Sequence, residues 1–294
     1  MADEGGPPVP ELVRAVTLDA PSVDPPTAMA AALERMHAAG AIIGDVLADS
    51  GYAHRVPERW AEPLARIGAR LIQDLHPHDR GPKGTFEGAT LANGNLWCPC
   101  TPAPLLGIGP LARGAGAEAV ATHDVACAEL ARYKLGRISA DDADGYHRVE
   151  CPAAAGKLRC PLKPASLALG FDRPEVLGPP ELPPRCCTQA TITVPPSVNA
   201  KSRQKHDHPS PAHRRSHARR SGAERSFSTT KDPATTDVRR GWCRLLGRTE
   251  NLVMYACAAV VRNLRVVAGF ERRQADEARR AITDQPARTR KRRR

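Results

Sequence analysis

Aromatic side chains are scarce in this chain: four Phe, four Tyr and three Trp make up 4% of its 294 residues. Stacking platforms for unpaired bases are correspondingly few, which argues against a single-strand binder built on aromatic ladders. The opening decapeptide, MADEGGPPVP, has neither a basic start nor an apolar stretch, so no secretory signal is expected. Long apolar runs are missing too. The longest, LVMYACAAVV at 252–261, is too short to cross a bilayer, is followed by Arg262 and Arg265, and reads as a buried helix. A cytoplasmic protein without membrane contact is the expectation. In that setting nine cysteines read as reduced thiols or metal ligands, not as a disulfide frame.

What is present is unevenly distributed. The length allows one large domain or about two ordinary ones, and 28 Pro with 23 Gly imply long irregular stretches. Residues 1–200 hold 18 Lys/Arg against 23 Asp/Glu, whereas residues 201–294 hold 25 against 9. A basic C-terminal third on a mildly acidic remainder points to a polyanion, most economically nucleic acid; the plainer alternative is a solvated basic face.

Along the chain, ELVRAVTL (11–18) reads as a short strand, TAMAAALERMHAAG (27–40) as a helix stopped by Gly40, and DVLAD (45–49) as a second strand. Strand, helix and strand with short links form the crossover unit of a parallel sheet. PERWAEPLARIGAR (57–70), with Trp60, Leu64 and Ile67 at helical spacing, reads as a helix, and RLIQDLH (70–76) as a strand. From 77 to 200 prolines and cysteines dominate. The clear helix there is HDVACAELARYKLG (123–136), with a β-rich run TQATITV at 188–194, so this segment reads as an insert. Residues 212–231 are expected to be helical and stopped by Pro233, and 249–283 to form a long helix whose apolar positions Leu252, Val253, Ala256, Ala259, Val260, Leu264 and Val267 face a core. The closing ARTRKRRR should be disordered and add sequence-independent DNA affinity.

Chemistry concentrates at two places. DVLADSGYAHR puts Asp49 on the last step of a strand, and a carboxylate there is an ordinary helix cap unless a second one joins it. Glu224 is the candidate. In HARRSGAERSFSTTK, Arg220 and Glu224 are four residues apart on a helix and Lys231 lies two turns beyond, all near one face with His217 just before. A carboxylate in so positive a field stays ionised and suits a hard divalent cation, while the neighbouring cations suit phosphates.

The spacing His217-x2-Arg220-x3-Glu224-x6-Lys231 resembles the Tyr-x2-Arg-x3-Glu-x6-Lys signature of DDE transposases of bacterial insertion sequences, with His in the Tyr position. VLADSGY is similar to the segment bearing their second catalytic aspartate, and YHRVECP, LRCPLK and RCCTQ resemble cysteine-bearing segments of one branch. The resemblance spans residues 11–283 and implies an α/β, ribonuclease H-like mixed sheet flanked by helices. It implies Asp49 and Glu224 as catalytic ligands of a two-Mg²⁺ site, with Arg220, Lys231, His217, Arg214 and Arg215 on DNA at transposon ends. A second copy of the chain is a further expected partner.

That family's first aspartate lies on the first strand, two strands and a helix before the second. Only one expected strand and one helix precede Asp49, and Asp19 and Asp24 are topologically out of place. The expectation is thus the C-terminal part of a transposase: a core piece at 1–76, a Cys/Pro-rich insert at 77–200, a second core piece at 201–283 and a basic tail at 284–294. Little strand cleavage is expected. The alternative is a non-catalytic DNA-binding derivative.

Cys151, Cys160, Cys186 and Cys187, with His147 or Cys98 and Cys100, could hold zinc in the insert, although Cys-x-Cys and Cys-Cys are not the usual two-residue-gapped knuckles and free buried thiols are the alternative. GIGPLARG (107–114) has the wrong glycine spacing for a dinucleotide loop. HPHDRGPKG (76–84) reads as a turn before it reads as a phosphate grip by Arg80 and Lys83.

Overall fold

The computed structural model describes residues 6–232, 234, 236–238 and 245–283. Pro233 and the basic tail lie outside the described residues. The fold is mixed α/β, with one parallel and two antiparallel small sheets. The chain divides into two compact units, Pro25–Ala218 and Met1–Asp24 with Arg219–Arg294.

The first unit opens with α1 (Pro25–Ala38), close to its expected span, and β1 (Asp45–Ala48). A short α2 (Ser50–Ala53) follows, then a 3-10 turn at Pro57–Arg59, α3 (Ala61–Arg66) and β2 (Arg70–Gln73). The helix expected over 57–70 is broken because Pro63 has no N–H to donate, so a helix containing it must begin just before it. Gly68, at φ +70°, turns the chain out again. β1 and β2 pair in parallel, Ala48 opposite Gln73. The crossover helix is therefore α3, not the helix at 27–40. α1 packs on α3 instead, sharing a core of Ala30, Trp60, Leu64 and Leu71.

The segment read as irregular contains two three-stranded antiparallel sheets. β3 (Pro82–Phe86), β4 (Ala89–Ala92) and β5 (Asn95–Trp97) form consecutive hairpins. Both turns are two-residue loops with positive φ at each position: Glu87 (51°) and Gly88 (83°), then Asn93 (49°) and Gly94 (80°). That geometry matches the twist of the flanking strands and favours Asn-Gly. A side chain at Gly94 would also come within 2.1 Å of the Ser202 carbonyl oxygen. After α4 (Ala103–Leu106) and α5 (Ala117–Arg132) come β6 (Gly136–Arg137), β7 (His147–Glu150), α6 (Arg185–Thr188) and β8 (Thr191–Val194). β7 lies between β6 and β8. One core joins Trp97, Leu130, Tyr133 and Leu158, and a second joins Leu96, Val149, Ile192 and Val194. The unit closes with α7 (Pro211–His217).

A 3-10 turn at Ala218–Arg220 leads into α8 (Ser221–Lys231) of the other unit, where α9 (Arg248–Ile282) runs for 35 residues. Residues 11–18 are not a strand. The Asn263 side chain accepts from the Val13 N–H at 2.9 Å and donates to the Val13 carbonyl at 2.7 Å, and Arg262 donates to the Glu11 carbonyl at 2.8 Å. An amide side chain carries the same donor and acceptor as a peptide, so Asn263 supplies what a neighbouring strand would have supplied.

The core expected along α9 is also absent. Val253 and Val260 are 57% exposed and Leu264 66%, while Arg262 is the buried residue of the helix. By length and composition α9 could cross a membrane, which the 252–261 run alone could not.

Candidate functional site

The C-terminal ends of β1 and β2 lie side by side, and each strand runs directly into an aspartate. Asp49 N-caps α2: its Oδ1 accepts from the Gly51 N–H at 3.0 Å. Its extended backbone and short side chain suit that task. Asp74 follows Gln73, a fully buried residue whose side chain accepts from the Trp60 indole at 2.9 Å. The Gln73 backbone N–H donates to the Gln204 side chain at 2.7 Å. At the other end of the pair, Asp45 is held by Arg70 at 2.8 Å and Lys205 at 2.9 Å, so its charge is spent on structure.

α7 lies against these strand ends. Ser210 caps it, accepting from the His213 N–H at 3.0 Å. His213 and His217 are four residues apart, so their rings share a face and stack at 5.6 Å. Nε2 of His213 donates to the Gln73 carbonyl at 3.1 Å, and Nε2 of His217 donates to the Ala48 carbonyl at 3.1 Å. Each ring thus satisfies the last carbonyl of one strand of the parallel pair.

His208 completes the group. It is 2% exposed, stands perpendicular to His213 at 4.8 Å, and comes within 3.7 Å of Asp74, too far for a hydrogen bond. Neither of its ring nitrogens has a hydrogen-bond partner. The His208 imidazole holds the Asp74 carboxyl down at about 2, against the burial that raises it. Burial drives His213 down to about 4, with the His208 charge adding to the effect, so His213 is neutral at physiological pH. Ligand atoms of Asp74, His208 and His213 all lie within 4.8 Å of one another. Two imidazoles and a carboxylate suit a borderline divalent ion such as Zn²⁺ or Fe²⁺ better than Mg²⁺, which favours all-oxygen sets.

A second trio of this kind is His54, His76 and Asp79. The rings of His54 and His76 lie 4.0 Å apart, tilted by 31°, and Asp79 lies 3.4 Å from His54. Lys201 reaches Asp79 at 2.7 Å. Burial raises the Asp79 carboxyl, but Lys201 and His54 outweigh it and the net shift is downward. With an ammonium already on its carboxylate, this trio has less charge left for a cation.

The expected site residues fall as follows. His217 reaches the strand end beside Asp49. Arg214 forms a two-pronged ion pair with Asp124 of α5, at 3.0 and 3.1 Å, which holds α7 in place and occupies the guanidinium; Arg215 is exposed. Arg220, at the N-cap of α8, pairs with Glu224 at 3.2 Å, and Lys231 lies exposed in the last turn of that helix. Asp49 belongs to one compact unit, and Glu224 and Lys231 to the other.

Of the cysteines read as zinc ligands, Cys151, Cys160 and Cys187 line one small void together with Cys98 and Cys100. Cys186 packs with the neighbouring core, its sulfur 3.9 Å from that of Cys187. Asp74, His208 and His213 were missed by sequence reasoning. The available signals were an aspartate placed after β2 as Asp49 is after β1, and the histidine run 208, 213 and 217. Comparison with protein-family models, with curated proteins and with solved structures finds no match.

Proposed function

We propose that the chain is a DDE-type transposase or a derivative of one, acting on DNA phosphodiesters in the cytoplasm, with Asp49 and Glu224 as Mg²⁺ ligands. One contact supports this reading above all: His217, first residue of the His-x2-Arg-x3-Glu-x6-Lys pattern, donates to the carbonyl of Ala48, the residue before Asp49. Two segments 169 positions apart, each singled out on sequence grounds, meet there. On this reading β1, α3 and β2 are a piece of a ribonuclease H-like sheet, and the two antiparallel sheets with their cysteines are the insert.

The roles follow from local geometry. The Gly51 N–H fixes the Asp49 side chain at the strand end, and His217 anchors the backbone immediately before it. Both proposed ligands offer carboxylate oxygens, the donor type that Mg²⁺ prefers. Bound Mg²⁺ would supply activation of a water or 3′-hydroxyl and stabilisation of the leaving oxygen. Lys231, two turns beyond Glu224 on α8, and Arg220 at the N-cap of that helix would hold backbone phosphates. The basic C-terminal third would add binding that weakens steeply with salt.

A plasmid-nicking assay with Mg²⁺, run beside a gel-shift titration on duplex DNA, tests this. The expected outcome is DNA binding with weak nicking at most, which Asp49→Asn and Glu224→Gln each abolish while binding persists. Binding without any nicking would favour the non-catalytic DNA-binding derivative, to which the charge asymmetry also points. Absence of both would overturn the two readings together.

A further inference from the structure

Five cysteines from four separate stretches of chain surround one nearly closed void of about 10 Å³, room for a single water-sized sphere. Cys98 and Cys100 follow β5, Cys151 follows β7, Cys160 lies in the loop beyond, and Cys187 sits in α6. Cys98, Cys151, Cys160 and Cys187 are each at most 7% exposed, and Cys100 is half-buried. Every described cysteine is a free thiol. An ordinary core would fill such a space with methyl groups, because an unfilled void costs stability. Here the space is kept, and cysteines share its wall with Ala153, Leu158, Leu162 and Val176.

Burial pushes the Cys98 and Cys151 thiols up from their ordinary range, so an entering metal must displace their protons. Tight turns support the cysteine arrangement: the Cys98 carbonyl accepts from the Thr101 N–H at 3.0 Å, and the Cys160 carbonyl from the Lys163 N–H at 2.9 Å. Lys163 also lines the void and brings a positive charge to it.

We propose that this pocket binds a thiophilic metal centre through four thiolates, those of Cys98, Cys151, Cys160 and Cys187, with Cys100 as a fifth sulfur alongside. The centre is a Zn²⁺ ion or an iron–sulfur cluster, which share this ligand chemistry. For zinc the balance is one Zn²⁺ taken up and four thiol protons released. The resulting site carries two negative charges, offset in part by Lys163 beside Cys187. Among the described residues, the trios with all ligand atoms within 4.8 Å are the two His/Asp groups, so the sulfurs would have to draw inward around a single ion, and a cluster would need the void to widen. The centre clamps four segments that no disulfide joins. It stands independently of the transposase reading.

The test is metal and acid-labile sulfide analysis of the full chain, purified without oxygen or chelator from cells supplied with zinc and iron. About one zinc per chain, or iron with matching sulfide, is expected. The double variant Cys151→Ser/Cys160→Ser should lose at least about nine-tenths of it, and Cys186→Ser/Cys257→Ser should retain it. Metal retained by the first variant would place it at the histidine–aspartate groups and overturn the proposal. Should that variant fail to fold, titration of the metal-stripped native chain with Co²⁺ decides. Intense sulfur-to-cobalt charge-transfer absorption, reversed by Zn²⁺, supports the centre, and its absence, together with an initial lack of iron and sulfide, overturns it.

Discussion

The two compact units treat apolar side chains in opposite ways. In Pro25–Ala218, short elements bury what the sequence offers: Leu64 and Ile72 are fully enclosed and Trp97 is 2% exposed. In the other unit, a helix of 35 residues with well-spaced Val, Leu and Ala leaves most of them in solvent. Helical periodicity describes which residues share a face; burial requires another element to cover that face. The first unit supplies such elements in layers, whereas the residues beside α9 bind it mainly through polar contacts at Asn263 and Arg262.

The sharpest way to break this contrast is truncation of matched leucines. Leu64→Ala should destabilise the first unit by about 2–5 kcal/mol, the range for a buried leucine that leaves a cavity. Leu264→Ala should change stability by no more than about 0.5 kcal/mol, as exposed substitutions do. Urea denaturation followed by circular dichroism measures both, and comparable losses would erase the distinction.

A smaller effect comes from His213, buried in the first unit with its pKa lowered from 6.5 to about 4. The unfolded chain takes up this proton first, so the stability due to the neutral ring is whole above about pH 6.5 and is lost as pH falls toward 4. The loss is about 3 kcal/mol. The Asp74 carboxyl, lowered to about 2, adds further loss below its unfolded value of 3.8. Denaturation midpoints measured between pH 7 and 4 should fall in the native chain and flatten in His213→Gln, which keeps a donor for the Gln73 carbonyl.

The smallest effect belongs to the exposed Arg220–Glu224 pair at the start of α8. Glu224→Gln should shift stability by at most about 0.5 kcal/mol, the usual worth of such a pair. A strong destabilisation would show that Glu224 has a structural role, and any loss of activity in that variant would need rereading.

What the sequence disclosed and what it hid follow from the range of the interactions. Asp49 was legible because a short β-forming run ends in Asp-Ser-Gly, a local pattern, and α1, β1, β2 and α9 were legible for the same reason. The hairpins at Glu87-Gly88 and Asn93-Gly94 were equally local, yet a segment judged by its proline and cysteine content hid two-residue turns. The strand expected at 11–18 failed differently: its composition suits a strand, but a strand also needs a partner, and the partner it has is one asparagine on a helix. Asp74, His208 and His213 come together across 139 positions, as do the five cysteines across four segments, and no spacing rule within a single stretch encodes such meetings.

The stacked pair on α7 has a mechanical consequence. Two rings one turn apart plug into two adjacent backbone sockets, so the helix is keyed to the strand pair in rotation and in height at once. Inserting a single alanine between positions 213 and 217 would turn one plug about 100° out of line. Both strand ends would then be affected by a change confined to a helix that belongs to neither strand.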